Sequence, residues 1–230
     1  MKQLVTSAIV LSRTDYGEAD RIVSVLTPDH GKLRLMAKGV RRVKSKLAGG
    51  IELFSVSTIT FVRGRGEIGT LVSTRLSRNY GNIVKDLART QVGYDCLKRL
   101  NKATEDAAEP AYFALLEHIF DALNDYSVST EIVQLWFAMQ LLSLAGHEPN
   151  LHTDTAGNSL QLEQTYAFDT EHMAFVPHSA GHFSARHIKF LRLGFAGYTP
   201  KTLAQVQGAA ELVDVCVPLV ELLQRQQPAA

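Results

Sequence analysis

Residues 21–37 read RIVSVLTPDHGKLRLMA, and this stretch decides the fold of the N-terminal part of the chain. Two short runs of aliphatic and β-branched residues, 21–27 and 32–37, flank Thr27-Pro28-Asp29-His30-Gly31. Proline presets φ and glycine permits a positive φ, as a tight turn between two strands requires. The stretch therefore predicts a β-hairpin.

Three further strand patterns surround this hairpin, at Leu4–Leu11, Ile51–Val62 and Ile68–Leu76. Arg63-Gly64-Arg65-Gly66-Glu67 predicts a second hairpin, and the longer connection Gly39–Gly50 has room for a short helix near Val43–Ala48. Five short strands with two hairpins are typical of a small Greek-key barrel such as an OB-fold.

Helical patterns replace the strand patterns after Tyr80. They are predicted at Ile83–Leu100, Pro110–Leu123, Val128–Ala145, Ser184–Leu193, after Thr199-Pro200, and at Gly208–Gln224 with a kink or break at Pro218. Residues 147–182 are polar, contain scattered glycine and proline, and predict an irregular insert. The fold class is thus α+β, with a five-stranded OB-fold barrel in residues 1–80 and a mainly helical domain in residues 81–230.

Charge divides at the same place. Residues 1–80 contain 14 Lys or Arg and 6 Asp or Glu, whereas residues 81–230 contain 10 and 17, although the whole chain has a net charge of only +1. This asymmetry indicates a part that binds a polyanion, joined to a part with another partner.

The basic part has its densest charge between His30 and Ile51, where no acidic residue occurs. Alternation in KLRLM at 32–36 directs the apolar side chains to the barrel interior and the cations outward. Evenly spaced phosphates of a nucleic acid would neutralise such a surface, although a merely solvated basic face is the alternative. The candidate DNA-binding residues are Lys32, Arg34, Lys38, Arg41, Arg42, Lys44, Lys46, Arg63 and Arg65.

Patterns that would indicate catalysis or a cofactor are weak. GRGEIG at 64–69 has the spacing of a dinucleotide fingerprint, but a strand pattern rather than a helix follows it. His178 and His182 are four residues apart with Gly181 between them, and no further ligand completes a metal spacing. We therefore predict no enzyme activity, no cofactor and no metal. The sequence leaves open, as an alternative, that histidines bind a metal.

The remaining composition indicates a soluble cytoplasmic protein. Two cysteines, Cys96 and Cys216, do not suggest a disulfide framework. The longest apolar run, about Val133–Ala145, is too short to cross a membrane.

Several quoted segments resemble a known family. Five parts of the sequence closely resemble the N-terminal barrel of the bacterial recombination mediator RecO family: YGEADRI at 16–22, Thr27, Gly31-Lys32, AKGVRR at 37–42 and Ser45-Lys46-Leu47. The resemblance is specific in residues 1–80 and is one of helical architecture beyond them.

The resemblance implies a DNA repair and recombination mediator near the nucleoid. It implies binding of single- and double-stranded DNA, annealing of complementary strands, and recombinase loading onto gapped DNA coated with protein. It also implies RecR and the single-strand-binding protein as partners. The acidic tail of the latter would meet the helical domain, where Arg186, Lys189 and Arg192 are the candidate contacts, a solvated face being the alternative.

One departure from the family concerns zinc. Many members carry a four-cysteine zinc module that would fall near residues 153–157 and 175–178, where this chain has no cysteine. We therefore expect the module to be degenerate and without zinc.

An OB-fold RNA-binding protein or a protein-interaction adaptor is the alternative function.

Overall fold

A closed five-stranded barrel forms the N-terminal part of the computed structural model, which describes residues 2–64, 66–104 and 110–226. Its strands are β1 (Gln3–Tyr16), β2 (Asp20–Thr27), β3 (Gly31–Ala37), β4 (Ser55–Val62) and β5 (Ile68–Asn79). The strand order β1-β2-β3-β5-β4 closes because β1 also pairs with β4. A five-stranded barrel followed by helices confirms the predicted α+β class.

The β2–β3 hairpin forms where the quoted stretch predicts it. Gly31 takes a φ of 65°, and the Thr27 hydroxyl accepts a hydrogen bond from the His30 amide and donates one to the Gly31 carbonyl. Antiparallel pairing of β4 with β5 confirms the second hairpin, of which Arg65 lies outside the described residues. The connection after β3 consists mostly of turns, with a 3-10 turn only at Ala48–Gly50.

The barrel interior holds the apolar residues that alternation predicts. Leu35 and Ala37 of β3 pack there with nine other residues: Ala8, Val10, Val23, Val25, Val40, Ile51, Ile59, Phe61 and Leu71. Their neighbours along each strand face outward. Outside the interior, helices α1 (Leu87–Ala103) and α2 (Pro110–Asn124) contact β1 and β2.

Contacts divide the chain into two compact units, the first ending at Asp125 and the second beginning at Tyr126. Helices α1 and α2 thus share a unit with the barrel. The domain boundary predicted between residues 80 and 81 rests on the change from strand patterns to helix patterns in the sequence, and it stays a prediction.

The second unit is built around α3 (Thr130–Leu144), which is apolar on almost every face as predicted. The Trp136 indole donates to the Tyr198 carbonyl at 2.6 Å, and the Gln140 amide donates to the Gly194 carbonyl at 2.6 Å. Around it lie α4 (Ala185–Phe195), α5 (Pro200–Ala204) and α6 (Ala209–Arg225). Of the predicted kink or break at Pro218, the break is wrong, because α6 runs through Pro218 without interruption, and the kink stays a prediction.

Residues 147–182, for which the sequence predicts an irregular insert, contribute three short strands to a regular sheet. The sheet has four strands in the order β6 (Asn150–Asp154), β8 (Ala174–Pro177), β7 (Thr165–Asp169) and β9 (Phe183–Ser184), the last lying just after this segment. Phe175 is fully buried and makes edge-to-face contacts with Tyr166, Phe168 and Phe183. These aromatic contacts give the small sheet a core of its own.

A hydrogen-bonded turn follows β6 at the first of the two places where the family zinc module would fall. The Asp154 carboxylate accepts hydrogen bonds from the amides of Ala156 and Asn158 at 2.9 and 2.8 Å, and from the Asn158 side chain. These bonds hold the pKa of Asp154 below its ordinary value, the Asn158 amide being the largest cause. A single carboxylate therefore organises this turn.

Candidate nucleic-acid interface

The outward face of β3 is basic at both ends, but its two ends have different surroundings. Lys32 lies at the end near α1, and its ammonium group donates to the Asn101 carbonyl at 2.6 Å. Lys38 follows the other end of the strand and is exposed. Of the two, Lys38 is therefore available to a ligand, whereas Lys32 is engaged in an intramolecular contact.

The basic loop, which we define as residues 38–46, is fixed to the turn between β1 and β2. The Gly39 amide donates to the Asp20 carboxylate at 2.7 Å, and the Arg41 amide donates to the Ala19 carbonyl at 2.9 Å. These bonds join two segments of the family resemblance, residues 16–22 and 37–42. The loop is thus anchored to the end of the barrel.

Arg41 takes part in this anchoring with its side chain. Its guanidinium donates to the Gly17 carbonyl at 3.4 Å and lies 3.6 Å from the Asp15 carboxylate. Arg21 donates to the same carboxylate at 2.7 Å. The hydrogen bond from Arg21, aided by the charge of Arg41, lowers the pKa of Asp15. The charge of Arg41 is therefore partly neutralised within the protein.

Four cations of the basic loop have no such counter-charge. Within residues 2–64, 66–104 and 110–226, no side-chain hydrogen-bond partner or ion pair is found for Lys38, Arg42, Lys44 or Lys46, and all four are exposed. Val43, between them, is also fully exposed. Four like charges within nine residues create a local positive field that favours a polyanionic ligand.

The other predicted DNA-binding residues lie near the β4–β5 hairpin. Arg34 pairs in register with Ile68 and lies 3.7 Å from the Glu67 carboxylate, so its charge is partly neutralised. Arg63 is exposed, and Arg65 lies outside the described residues. The structure thus brings Arg34 to this hairpin and places the four uncompensated cations on the basic loop.

The sequence patterns for cofactors and metals acquire no support. Residues 68–79 are a strand, as predicted, so no helix follows GRGEIG to hold a pyrophosphate. Where residues are described, no three His, Cys, Asp or Glu side chains are grouped closely enough to share a metal ion. Burial raises the pKa of Cys96 and Cys216 to about 12, so neither is a ready nucleophile.

The predicted cationic face of α4 is partly used by the second unit itself. Arg186 donates to the Gln207 carbonyl at 2.8 Å, and Arg192 donates to the Leu151 carbonyl at 2.7 Å. Lys189, between them, is exposed. Two of the three cations therefore also form hydrogen bonds within the second unit.

Comparison with protein families yields two matches. The family model for the N-terminal part of recombination protein O matches residues 1–80, and the model for its C-terminal part matches residues 100–215. The chain belongs to the RecO family.

No helix among the described residues is long and apolar enough to span a membrane.

Curated RecO relatives agree with this membership. The DNA repair protein RecO of Dehalococcoides mccartyi is 35% identical over 167 residues, which are 72% of this chain and 65% of the relative. Those of Halalkalibacterium halodurans and Listeria welshimeri are 31% and 32% identical, over 62% of this chain and 56% of each relative. The chain therefore matches less than two thirds of the length of these RecO proteins.

Proposed function

We propose that this RecO-family chain acts in DNA repair and homologous recombination by binding single- and double-stranded DNA through the basic loop and annealing complementary strands. The observation that carries the proposal is the set of four exposed, uncompensated cations at Lys38, Arg42, Lys44 and Lys46. The names of the family and of its relatives, which are DNA repair proteins, support it.

The mechanism follows from charge neutralisation. Each cation that meets a phosphate releases a condensed counterion, and this release drives binding without reading the base sequence. Two strands held against the same basic loop repel each other less, and their base edges remain free to pair. No bond is made or broken in this process, so no catalytic group is required.

The wider role is proposed from the family. RecR and the single-strand-binding protein are the proposed partners, and together with them the chain would load a recombinase onto gapped, protein-coated DNA near the nucleoid. For an acidic protein tail, α4 offers Lys189 with the remaining donors of Arg186 and Arg192. Arginine and lysine are the residues that pair with carboxylates in such contacts.

A salt series tests DNA binding. Fluorescence anisotropy of a labelled single strand should show an affinity that falls with a log–log salt slope of about −2.8, since four cations contribute about −0.7 each. The variant Arg42→Gln/Lys44→Gln/Lys46→Gln should retain a slope of only about −0.7. Between about 50 and 200 mM salt, the parent then weakens roughly 50-fold and the variant less than threefold.

The matched control removes the same charge elsewhere in the first unit. Lys2, Lys98 and Lys102 are exposed, and changing all three to Gln leaves the basic loop intact. This variant should keep a slope close to that of the parent. An equal loss in both triple variants would show that net charge, rather than the basic loop, governs binding and would overturn the assignment.

An annealing assay separates the proposal from its alternatives. Two complementary labelled strands should pair faster with the parent than with the loop variant. Tighter binding to RNA than to DNA without annealing would favour an RNA-binding protein, because only RNA offers the 2′-hydroxyl. Equal affinity for RNA and DNA without annealing would remove the main support for a role in recombination. Failure of the parent to bind either nucleic acid would favour a protein-interaction adaptor.

A further inference from the structure

The Tyr16 side chain is an exposed aromatic ring beside the basic loop. It is the last residue of β1, and 55% of its surface is exposed. In the part of the chain that the structure describes, no other aromatic ring stacks on it and no cation lies over its face. More than half of this residue's surface is thus left to solvent at the end of the barrel.

Strand register places this ring on the same surface as the loop cations. Tyr16 pairs with Asp20 across the β1–β2 turn, so both side chains project to one face. Ala37, the last residue of β3, packs in the barrel interior, and Lys38, which follows it in the turn, is exposed. The Asp20 carboxylate, which accepts the Gly39 amide at 2.7 Å, therefore lies between Tyr16 and the start of the basic loop.

The opposite end of this outward face is covered. Ile9 and Leu26, which are outside the interior cluster, are fully buried, and helices α1 and α2 contact β1 and β2. Thr14 and Tyr16, at the far end of β1, are exposed. The uncovered part of the face therefore coincides with the part that the basic loop borders.

We propose that Tyr16 stacks on an unpaired nucleobase of a strand whose phosphates contact the basic loop. This inference rests on the proposed function and adds to it a site for the base. A base stacks on an aromatic ring regardless of its identity, because every base has a π-face. In a duplex the bases are already stacked and paired, so Tyr16 makes the site prefer single strands.

A protein side chain is a weaker match for this surface. Protein-binding patches are contiguous apolar areas of several hundred Å². The residues next to Tyr16 in the chain and across the turn are instead charged or small, namely Asp15, Gly17 and Asp20. An isolated ring beside the cations of the basic loop suits a ligand that carries phosphates and flat rings together.

The test compares two tyrosines of equal exposure. Tyr16→Leu removes the ring, and Tyr198→Leu does the same in the second unit, where Tyr198 is 53% exposed. Anisotropy is measured with a single strand, an abasic strand of the same length and a duplex. We expect Tyr16→Leu to weaken single-strand binding roughly 5- to 150-fold, to change binding of the other two less than twofold, and to leave the salt slope unchanged. Tyr198→Leu should bind all three like the parent.

A second variant reports stacking directly. Tyr16→Trp places an exposed indole in a chain whose native Trp136 is buried. Its fluorescence should be quenched by the base-containing strand and not by the abasic strand. Unchanged binding of Tyr16→Leu to the single strand, an equal loss on the abasic strand, or equal quenching by both strands would each overturn the inference. If Tyr16→Leu behaves like the parent while the triple loop variant still loses its salt slope, the inference alone fails. A parent that binds no nucleic acid overturns both.

Discussion

Gly93 of α1 is the position where a single added methyl group tests how the helix packs beside the barrel. A Cβ atom built there would lie 2.5 Å from Cε1 of Phe54 and 3.0 Å from its Cζ. Phe54 is buried, and its ring makes edge-to-face contacts with Tyr94 and Phe120 at centroid distances of 5.3 and 5.6 Å. Its backbone φ of 55° lies in the left-handed region. The ring therefore has little freedom to move away.

Two opposing effects set the size of the change in Gly93→Ala. Alanine favours a helix over glycine by about 1 kcal/mol. Overpacking a filled site costs about 1–3 kcal/mol. Because neighbouring rings hold Phe54 on two sides, the clash outweighs the gain, and we expect a net destabilisation of up to about 2 kcal/mol.

The sign of the effect should depend on Phe54. In a Phe54→Leu background the clashing ring atoms are gone, so Gly93→Ala should be neutral or stabilising by up to about 1 kcal/mol. Urea unfolding followed by circular dichroism gives the midpoints, and hydrogen exchange of the α1 amides localises the change to the first unit. The same sign and size in both backgrounds would refute the packing argument.

Two further predictions concern the second unit. Nδ1 of His187 accepts a hydrogen bond from the Ser184 amide at 2.9 Å, and burial lowers the pKa of His187. The neutral imidazole therefore contributes its full stabilisation above about pH 6.5, and this stabilisation is lost as the pH falls through the folded-state pKa. His187→Gln, whose side-chain oxygen can accept the same bond, should flatten the pH dependence of thermal unfolding below about pH 6.5; an unchanged profile would count against it. Asp154→Ala should lower the midpoint of the thermal transition that Trp136 fluorescence reports, because it leaves the amides of Ala156 and Asn158 without their acceptor. An unchanged midpoint would disprove the stabilising role of this turn.

Local signals explain why the barrel could be predicted from sequence. The β2–β3 turn needs Pro28 and Gly31, and the alternation around Leu35 assigns each side chain to a face without knowledge of distant residues. Helix ends were less exact. Residues 83–85 form a 3-10 turn, and α1 begins only after Asp86, whose carboxylate accepts the Arg89 amide.

The sheet of the second unit depends on pairings that no local pattern carries. Its strands are two to five residues long, and Asn150 pairs with Ala174 and Asp154 with Phe175. In so short a strand, alternation of polar and apolar residues covers too few positions to indicate a periodicity. Tertiary packing around Phe175 decides the structure instead.

The candidate site shows the same distinction. Sequence reasoning placed nine cations on one surface but could not tell which were already engaged. Lys32 donates a hydrogen bond to the carbonyl of Asn101, 69 residues away. The charge of Arg41 is partly neutralised, whereas Arg42, its neighbour, has no counter-charge within the described chain. Such differences arise from backbone carbonyls and turns that composition does not reveal.

The length of β1 has a consequence for how the chain folds during synthesis. Residues 3–9 of this strand pair with β4, and residues 9–16 pair with β2. Until the ribosome has made residues 55–62 of β4, half of β1 has no partner and presents an open strand edge, which is a site for aggregation. Closure then needs the pairing of β3 with β5, so the barrel completes late and by contacts distant in sequence, as slow-folding β-proteins do.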